Sequence, residues 1–161
     1  MDDLTIRNVE PSDYQRVISV LNDWWGGRNM SDMLPKLFFV HFRSTSFVAE
    51  REGKIVGFLI GFLSQTFPDQ AYIHFAGVHP DYRRKRLAEK LYKHFFEIVR
   101  EHGCKIVRSV TSPVNKCSIA FHLRIGFSIE PGDMLVEGIS VAENYDGCGG
   151  DRVLFVKPLG A

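Results

Sequence analysis

The spacing of apolar positions along the chain changes between a period of two and a helical period, and this divides the chain into strands and helices. Alternating positions and short apolar runs predict strands at 4–7, 46–51, 54–65, 71–78, 106–110, 126–129 and 152–156. Helical spacing predicts helices at 10–25, 31–41, 87–102 and 115–124. The glycine-rich segment 134–150 keeps no clear period, and its shape is left open. This mixed order predicts an α/β or α+β fold, in which helices cover the faces of a sheet.

Composition narrows the class of protein. With 161 residues, of which 45% are hydrophobic and 24% charged, the sequence predicts one globular domain over 1–161. A net charge of +1 gives no global reason to expect nucleic-acid binding. Cys104, Cys117 and Cys148 are an odd number without CxxC spacing, so neither a disulfide framework nor a metal site is expected. The acidic start, Met1-Asp2-Asp3, and the lack of a long apolar run predict a cytoplasmic protein that does not bind membranes.

A basic junction between a strand and a helix is the feature that indicates chemistry. The strand that ends at Val78 is followed by a short basic run into an amphipathic helix, namely Arg83, Arg84, Lys85 and Arg86. The first N–H groups of a helix lack intrahelical partners and lie at the positive end of its dipole, where an anion is stabilised. The junction therefore predicts a phosphate site. A solvated basic surface or a nucleic-acid patch is the alternative.

This junction resembles the acetyl-CoA pyrophosphate loop of the GNAT superfamily of N-acetyltransferases, which reads Arg or Gln, two residues, Gly, one residue, then Gly or Ala. Arg83, Arg86 and Ala88 occupy the three marked places. Arg86 departs from the family, where glycine is usual, and Arg84 stands where glycine is frequent. Because the contacts of the loop are main-chain N–H groups, Arg86 keeps its donor provided that its φ is negative and its side chain points outward.

The resemblance spans most of the chain and implies both a fold and a cosubstrate. The fold is a mixed, strongly twisted, mostly antiparallel sheet that splays open between its fourth and fifth strands, with helices on both faces. Acetyl-CoA enters the splay, and its pantetheine bonds main-chain groups near the end of the fourth strand. The predicted cofactor-binding residues are Gly77, Val78, Arg83, Arg84, Lys85, Arg86, Leu87, Ala88, Asn115 and Ser118.

The segment from Asn115 to Phe127 resembles a second motif of the family. The resemblance implies that Asn115 and Ser118 contact pantetheine amide and phosphate oxygens; Asn115 as a helix cap is the alternative, and the two roles are compatible. His122 stands where many relatives carry a tyrosine that protonates the departing thiolate. An imidazolium of pKa about 6.5 can do this, since a free thiol has a pKa of about 8.5. A hydrogen-bonded structural histidine is the other interpretation of His122.

An amine acceptor must lose a proton before it attacks a thioester, so the reaction needs a base. His74 is the predicted base, because strand alternation places it on the same face as Val78. Its strand also resembles that of arylalkylamine N-acetyltransferases, in which a histidine relays protons. The alternatives are that His74 is a half-buried structural residue, or that Tyr72 or Glu50 acts as the base through water.

The predicted activity is transfer of an acetyl group from acetyl-CoA to a primary amine by direct attack in a ternary complex. A covalent intermediate on Cys117 is the less favoured route, since that thiol has no assured base partner. The acceptor is a small-molecule amine or a peptide N-terminus. Core positions are the first expectation for the aromatic residues Trp24, Trp25, Phe38 and Phe39. As an alternative they form, with Tyr145, the apolar lining of the acceptor pocket, for which Asp23 and Asp146 are the acidic candidates.

Other classes of function remain open at this point. The main alternative is a catalytically silent CoA-binding module with a regulatory or partner-binding role, which Arg86 and His122 suggest because both depart from the family pattern. A nucleic-acid binder is disfavoured by the near-neutral charge. A homodimer rests on family habit alone.

Overall fold

The structure is a computed structural model that describes residues 3–84 and 86–160, so that Lys85, one of the predicted cofactor-binding residues, lies outside the described residues. The strands are β1 (Leu4–Asn8), β2 (Phe47–Arg51), β3 (Lys54–Leu63), β4 (Gln70–Val78), β5 (Ile106–Thr111), β6 (Ser128–Ile129), β7 (Met134–Val136), β8 (Ile139–Val141) and β9 (Val153–Pro158). The helices are α1 (Asp13–Trp24), α2 (Leu37–His41), α3 (Leu87–Glu101) and α4 (Lys116–Arg124), with 3-10 turns at Ser31–Met33, Arg43–Thr45 and Pro80–Tyr82.

The chain folds into two compact units. The first takes in Met1–Leu63 and Ile73–His102, and the second takes in Ser64–Tyr72 and Gly103–Ala161. The prediction of one domain over 1–161 is left untested by this division and stays a prediction. Among the described residues, no helix has the length and apolarity that a membrane crossing requires.

Antiparallel pairing organises the sheet in the first unit. β1 pairs with β2, and β2 pairs with β3 through the predicted hairpin. At the hairpin turn Glu52 and Gly53 have φ of 53° and 76°, as a two-residue primed turn requires. The strand order is β1-β2-β3-β4. The predicted hairpin is thereby confirmed.

An ion network around the buried carboxylate of Asp13 connects α1 to the first two strands. Asp13, at the start of α1, is 1% exposed and accepts hydrogen bonds from Nη1 and Nη2 of Arg7, each at 2.9 Å. Glu50 accepts from Nε of Arg7 at 3.0 Å and from Nη2 of Arg16 at 2.9 Å. Burial is the largest single influence on the pKa of Asp13 and raises it, but the hydrogen bonds from Arg7 and from the N–H of Glu10, together with the charges of Arg7 and Arg16, lower the pKa overall. The helix is therefore placed by charge as well as by its apolar face.

The second unit is built on a short parallel contact. β4 pairs with β5 only from Gln70↔Ile106 to Tyr72↔Arg108. β5 then pairs with β9, and β9 with β6, in antiparallel fashion, which gives a seven-strand order of β1-β2-β3-β4-β5-β9-β6. Because the pairing of the fourth and fifth strands stops after three residues, the predicted mixed, mostly antiparallel sheet with a splay at this place is confirmed.

Two segments differ from the sequence prediction. The helix predicted over 31–41 is wrong as one element: a 3-10 turn and α2 are separated at Leu34 (φ −136°), because Pro35 disfavours helical backbone in the residue before it. The open segment 134–150 contains the hairpin β7–β8, which turns at Glu137-Gly138 with φ of 49° and 83°. That turn repeats the Glu-Gly pair of the first hairpin, a signal that the sequence already carried.

The end of β4 is packed so closely that it excludes a side chain. A Cβ atom on Gly77 would lie 2.6 Å from Cη2 of Trp25 and 2.8 Å from Cε2 of Phe58. The ring of Trp24 stacks on that of Phe58, with the two centroids 5.9 Å apart. Gly77 is therefore fixed by packing, whatever else its main chain binds.

Gly77→Ala is expected to lower the free energy of unfolding by about 2 kcal/mol, because overpacking against rings shifts backbone or forces strained rotamers. Urea unfolding measures the loss. Gly57→Ala is the matched control on β3. Its Cβ would lie 3.2 Å from side-chain ends of Leu87 and Leu91, which can yield, and 3.4 Å, an ordinary contact, from the carbonyl oxygen of Gly77. Equal losses in the two variants would contradict the close-packing account.

Candidate active site

The basic junction forms a strand, a tight turn and a helix, as the phosphate-loop prediction requires. Gly77 and Val78 are buried at the end of β4. The turn Pro80–Tyr82 follows, in which the N–H of Asp81 donates to Nδ1 of His79 at 3.0 Å. α3 then begins at Leu87, whose side chain is 2% exposed.

Arg83 uses its guanidinium on the protein itself. Its Nε donates to the carbonyl of Val78 at 3.2 Å, and its Nη2 donates to the carbonyl of Trp24. These bonds tie the turn to β4 and to the end of α1. A phosphate role for the Arg83 side chain stays a prediction, while its bracing role is directly visible.

The start of α3 is open to an anion. Among the described residues, no side chain caps this helix, so the orphan N–H groups of its first turn, including those of Leu87 and Ala88, lack a side-chain acceptor. Arg84 and Arg86 are exposed beside it. Uncapped N–H groups with adjacent cations are the donor set that a phosphate prefers.

Arg86 has a left-handed backbone, with φ 59° and ψ 23°. The condition of a negative φ is therefore not met at Arg86. The chain keeps at Arg86 the conformation that glycine adopts without strain, and a residue with a Cβ is destabilised there by about 1–2 kcal/mol. The left-handed turn at Arg86 thus forms without a glycine, at a cost in backbone strain.

Arg86→Gly is expected to raise the free energy of unfolding by up to about 1 kcal/mol, since the strain is relieved while glycine adds chain entropy to the unfolded state. Urea unfolding tests this. Arg84→Gly is the control, because Arg84 is absent from the described non-glycine residues with positive φ; it should give no gain. A gain of the same size in both variants would show that loss of charge, not of strain, is responsible.

The second motif begins with a helix cap. Oδ1 of Asn115 accepts a hydrogen bond from the N–H of Ser118 at 3.2 Å. This hydrogen bond is the capping role that was the alternative for Asn115. The cap does not use the side-chain amide nitrogen of Asn115. Contacts of Asn115 and Ser118 with CoA stay predictions.

His122 lies in an aromatic setting in the second unit. It is 4% exposed, its ring stacks on Phe155 with centroids 4.2 Å apart, and its Nδ1 donates to the carbonyl of Ser118 at 2.8 Å. Burial lowers the pKa of His122 to about 4, and the bond to Ser118 only partly offsets this. The neutral ring therefore dominates at neutral pH, which favours the structural alternative over the predicted acid.

Stability should depend on pH through His122. Its folded pKa of about 4 lies below its unfolded value, so the unfolded chain binds more protons between the two and stability falls as pH falls. From pH 7 to pH 5, the unfolding free energy of the wild type should drop by about 2 kcal/mol more than that of His122→Phe, at about 1.36 kcal/mol per pKa unit.

Urea titrations at the two pH values measure this difference. The control is His102→Gln, at an exposed ring that bonds the carbonyl of Ile98 in its own helix. This variant should follow the wild type. Identical pH dependence in the wild type and His122→Phe would show that His122 does not titrate as a buried neutral ring.

His74 is held by the first unit in a defined tautomer. Its Nε2 lies 2.6 Å from the carbonyl oxygen of Met33, and its ring stacks on Phe38 with centroids 4.4 Å apart. A carbonyl only accepts, so Nε2 carries the proton and Nδ1 is the basic nitrogen of the neutral ring. This arrangement suits a proton acceptor, and the catalytic role itself stays a prediction.

The two alternative bases are less suitable. Glu50 bonds Arg7 and Arg16, and the bond to Arg7 is the main cause that lowers the pKa of Glu50. Burial, with smaller contributions from Tyr145 and Asp146, raises the pKa of Tyr72 to about 12. The carboxylate is thus weakly basic, and the phenol keeps its proton at neutral pH.

A pocket of about 280 Å³ lies within the second unit. Aromatic and polar side chains share its lining, which consists of Phe67, Gln70, Tyr72, Arg108, Ser109, Val110, Glu130, Tyr145, Leu154 and Phe155. Tyr145 was an expected pocket residue, whereas Arg108 and Glu130 were not. The available signal was Arg108 itself, the one charged residue in the strand Ile106–Thr111.

The other expected acceptor-pocket aromatics lie in the core or are packed against it. Trp24 and Phe39 are buried in the core of the first unit, whereas Trp25 and Phe38 are partly exposed.

Within 3–84 and 86–160, no group of three or more His, Cys, Asp or Glu side chains is arranged to hold a metal ion.

Comparison with known proteins identifies the family. Residues 12–127 match the Acetyltransferase (GNAT) family. The L-2,4-diaminobutyric acid acetyltransferase of Nocardia farcinica is 34% identical over 79 residues, which are 49% of this chain and 41% of that protein. The chain thus matches less than half the length of this relative.

Solved structures share the fold. Diaminobutyrate acetyltransferase from Paenibacillus lautus, in complex with L-2,4-diaminobutyric acid and coenzyme A, superposes with a TM-score of 0.75 at 23% identity over 100% of this chain and 98% of that one. The ribosomal-protein-S18-alanine N-acetyltransferase from Escherichia coli gives 0.69 at 19% identity, over 98% and 95%. The chain belongs to the GNAT family of acetyltransferases, which confirms the predicted family.

Proposed function

We propose that this protein transfers an acetyl group from acetyl-CoA to a primary amine of a small molecule. The observation that carries the proposal is the uncapped start of α3 directly after β4, with Arg84 and Arg86 exposed beside it. This donor set fits the pyrophosphate of CoA. Membership of the GNAT family supplies the reaction class.

The reaction is a direct attack in a ternary complex. The amine nitrogen bonds to the thioester carbonyl carbon, the C–S bond breaks, and the sulfur leaves as a thiolate that takes a proton from water. The proton lost by the amine goes to Nδ1 of His74, whose Nε2–H is held by Met33. No covalent acetyl-enzyme is required, and Cys117, which is exposed on α4, has no part in the reaction.

The acceptor class follows from the relatives. Two similar proteins are named as diaminobutyrate acetyltransferases, and one similar structure is an enzyme named for a protein alanine. A short diamino acid is therefore the first acceptor to test, and a peptide N-terminus is the second. A silent CoA-binding module is the competing function, since Arg86 departs from the loop pattern and His122 is buried as a neutral ring.

The test has two stages. Isothermal titration with acetyl-CoA should show saturable one-to-one binding, weakened by Arg84→Ala plus Arg86→Ala. Arg83 is left intact because it braces the turn. Thiol release and mass spectrometry then measure acetylation of 2,4-diaminobutyrate, ornithine, lysine, 2-phenylethylamine and an alanine-terminated peptide. Binding without turnover of any amine would support the silent module, and no binding would overturn both functions.

His74→Gln should lower kcat by about 100-fold or more, because general-base catalysis contributes about 10²–10⁴-fold. Glutamine retains an N–H for the carbonyl of Met33 but has no basic nitrogen. Acetyl-CoA affinity should be unchanged, and the rate should recover at high pH, where the amine loses its own proton. His102→Gln is the matched control. An undiminished kcat in His74→Gln would remove His74 from the mechanism.

A further inference from the structure

The pocket in the second unit contains an ion pair, Arg108 with Glu130, in which each side chain keeps polar atoms that could bind a ligand. Nη1 of Arg108 donates to Oε1 of Glu130 at 2.7 Å, and Nε of Arg108 donates to the side-chain oxygen of Gln70 at 2.7 Å. Within the described part of the chain, Nη2 of Arg108 and Oε2 of Glu130 take no protein hydrogen bond. The N–H groups of one guanidinium nitrogen and one carboxylate oxygen therefore remain for a ligand.

The charges of the lining indicate which ligand fits. The cation is Arg108 and the anion is Glu130, so the charged pair in the lining sums to zero. A guanidinium edge suits a carboxylate, and a carboxylate oxygen suits an ammonium group. A ligand with only one of these groups would satisfy one side of the pair and leave the other without a ligand partner.

The pair is accessible and held in place. The side chains of Arg108 and Glu130 are 32% and 36% exposed, so a solute can reach both. Gln70 and Arg108 lie on the paired strands β4 and β5, which fix the direction of the guanidinium. The walls are apolar and aromatic, from Phe67, Phe155 and Tyr145, and the phenol of Tyr72 stays neutral. Such a pocket combines an apolar body with a few oriented polar groups.

We infer that this pocket binds the head group of an α-amino acid, its carboxylate on Nη2 of Arg108 and its α-ammonium on Oε2 of Glu130. The inference goes beyond the proposed function, because both charged partners of the amino acid lie in the second unit.

Direct binding to the whole protein, without acetyl-CoA, tests the pocket independently of turnover. The probe is ornithine, with two analogues that each lack one head-group charge: 5-aminopentanoate has no α-ammonium, and 1,4-diaminobutane has no carboxylate. Ornithine should bind at least about tenfold more tightly than either analogue, because each loses a hydrogen bond between charged groups. Equal affinity of the three compounds, or no ornithine binding, would overturn the inference.

Two variants test which ligand group each charged side chain binds. Glu130→Gln should weaken ornithine by about tenfold and leave 5-aminopentanoate unchanged, whereas Arg108→Gln should weaken ornithine and leave 1,4-diaminobutane unchanged. If Arg108→Gln fails to fold, Arg108→Lys, which loses the fork but keeps the charge, takes its place. Arg124→Gln removes an exposed cation from the same unit outside the pocket and should change nothing.

Failure of this inference is distinguishable from failure of the proposed function. One outcome is acetylation of simple alkylamines together with no ornithine binding, or with ornithine binding that neither variant weakens. That outcome would support the acetyltransferase activity and overturn the amino-acid pocket. Ornithine binding that follows the expected pattern would support the pocket even if no amine were acetylated.

Discussion

The close approach of Gly77 to the Trp25 indole is the constraint on which the rest of the first unit depends. No side chain fits between the end of β4 and the two aromatic residues, and the same strand end receives the Arg83 guanidinium on the carbonyl of Val78. The other bond of that guanidinium goes to α1, at Trp24. The end of α1, the end of β4 and the turn that carries Arg83 are therefore one packed assembly next to the start of α3.

This packing explains why a strained residue is tolerated in the loop. Arg86 has the left-handed backbone that glycine adopts without strain, at a cost of about 1–2 kcal/mol for a residue with a Cβ. The turn cannot relax, because Leu87 on one side is buried and Arg83 on the other is bonded to two carbonyls. The surroundings thus fix the backbone shape, and the N–H groups keep their direction although the side chain has changed.

Periodicity and turn chemistry predicted most of the fold, but only where local signals decide it. The Glu52-Gly53 hairpin and the long helix α3 follow from such signals, and so does the break that Pro35 makes, although the helical spacing around it concealed the break. Contacts between distant positions could not be predicted. The pair of Arg108 with Glu130 joins residues 22 apart, and Arg83 meets a carbonyl 59 residues away. No periodicity encodes a partner at that distance.

The two histidines show how environment divides residues that the sequence treats alike. His122 has an aromatic cage and a lowered pKa, so its ring is a neutral packing element beside Phe155. His74 also stacks on a phenylalanine, but the carbonyl of Met33 fixes its proton on Nε2 and leaves Nδ1 as the basic nitrogen. A catalytic histidine needs one nitrogen oriented by the protein and one available for the reaction. The hydrogen bond that His74 donates leaves Nδ1 as the nitrogen that can accept a proton. Burial disfavours the charged form of His122, which an acid would need. His74 is therefore the stronger candidate for moving a proton.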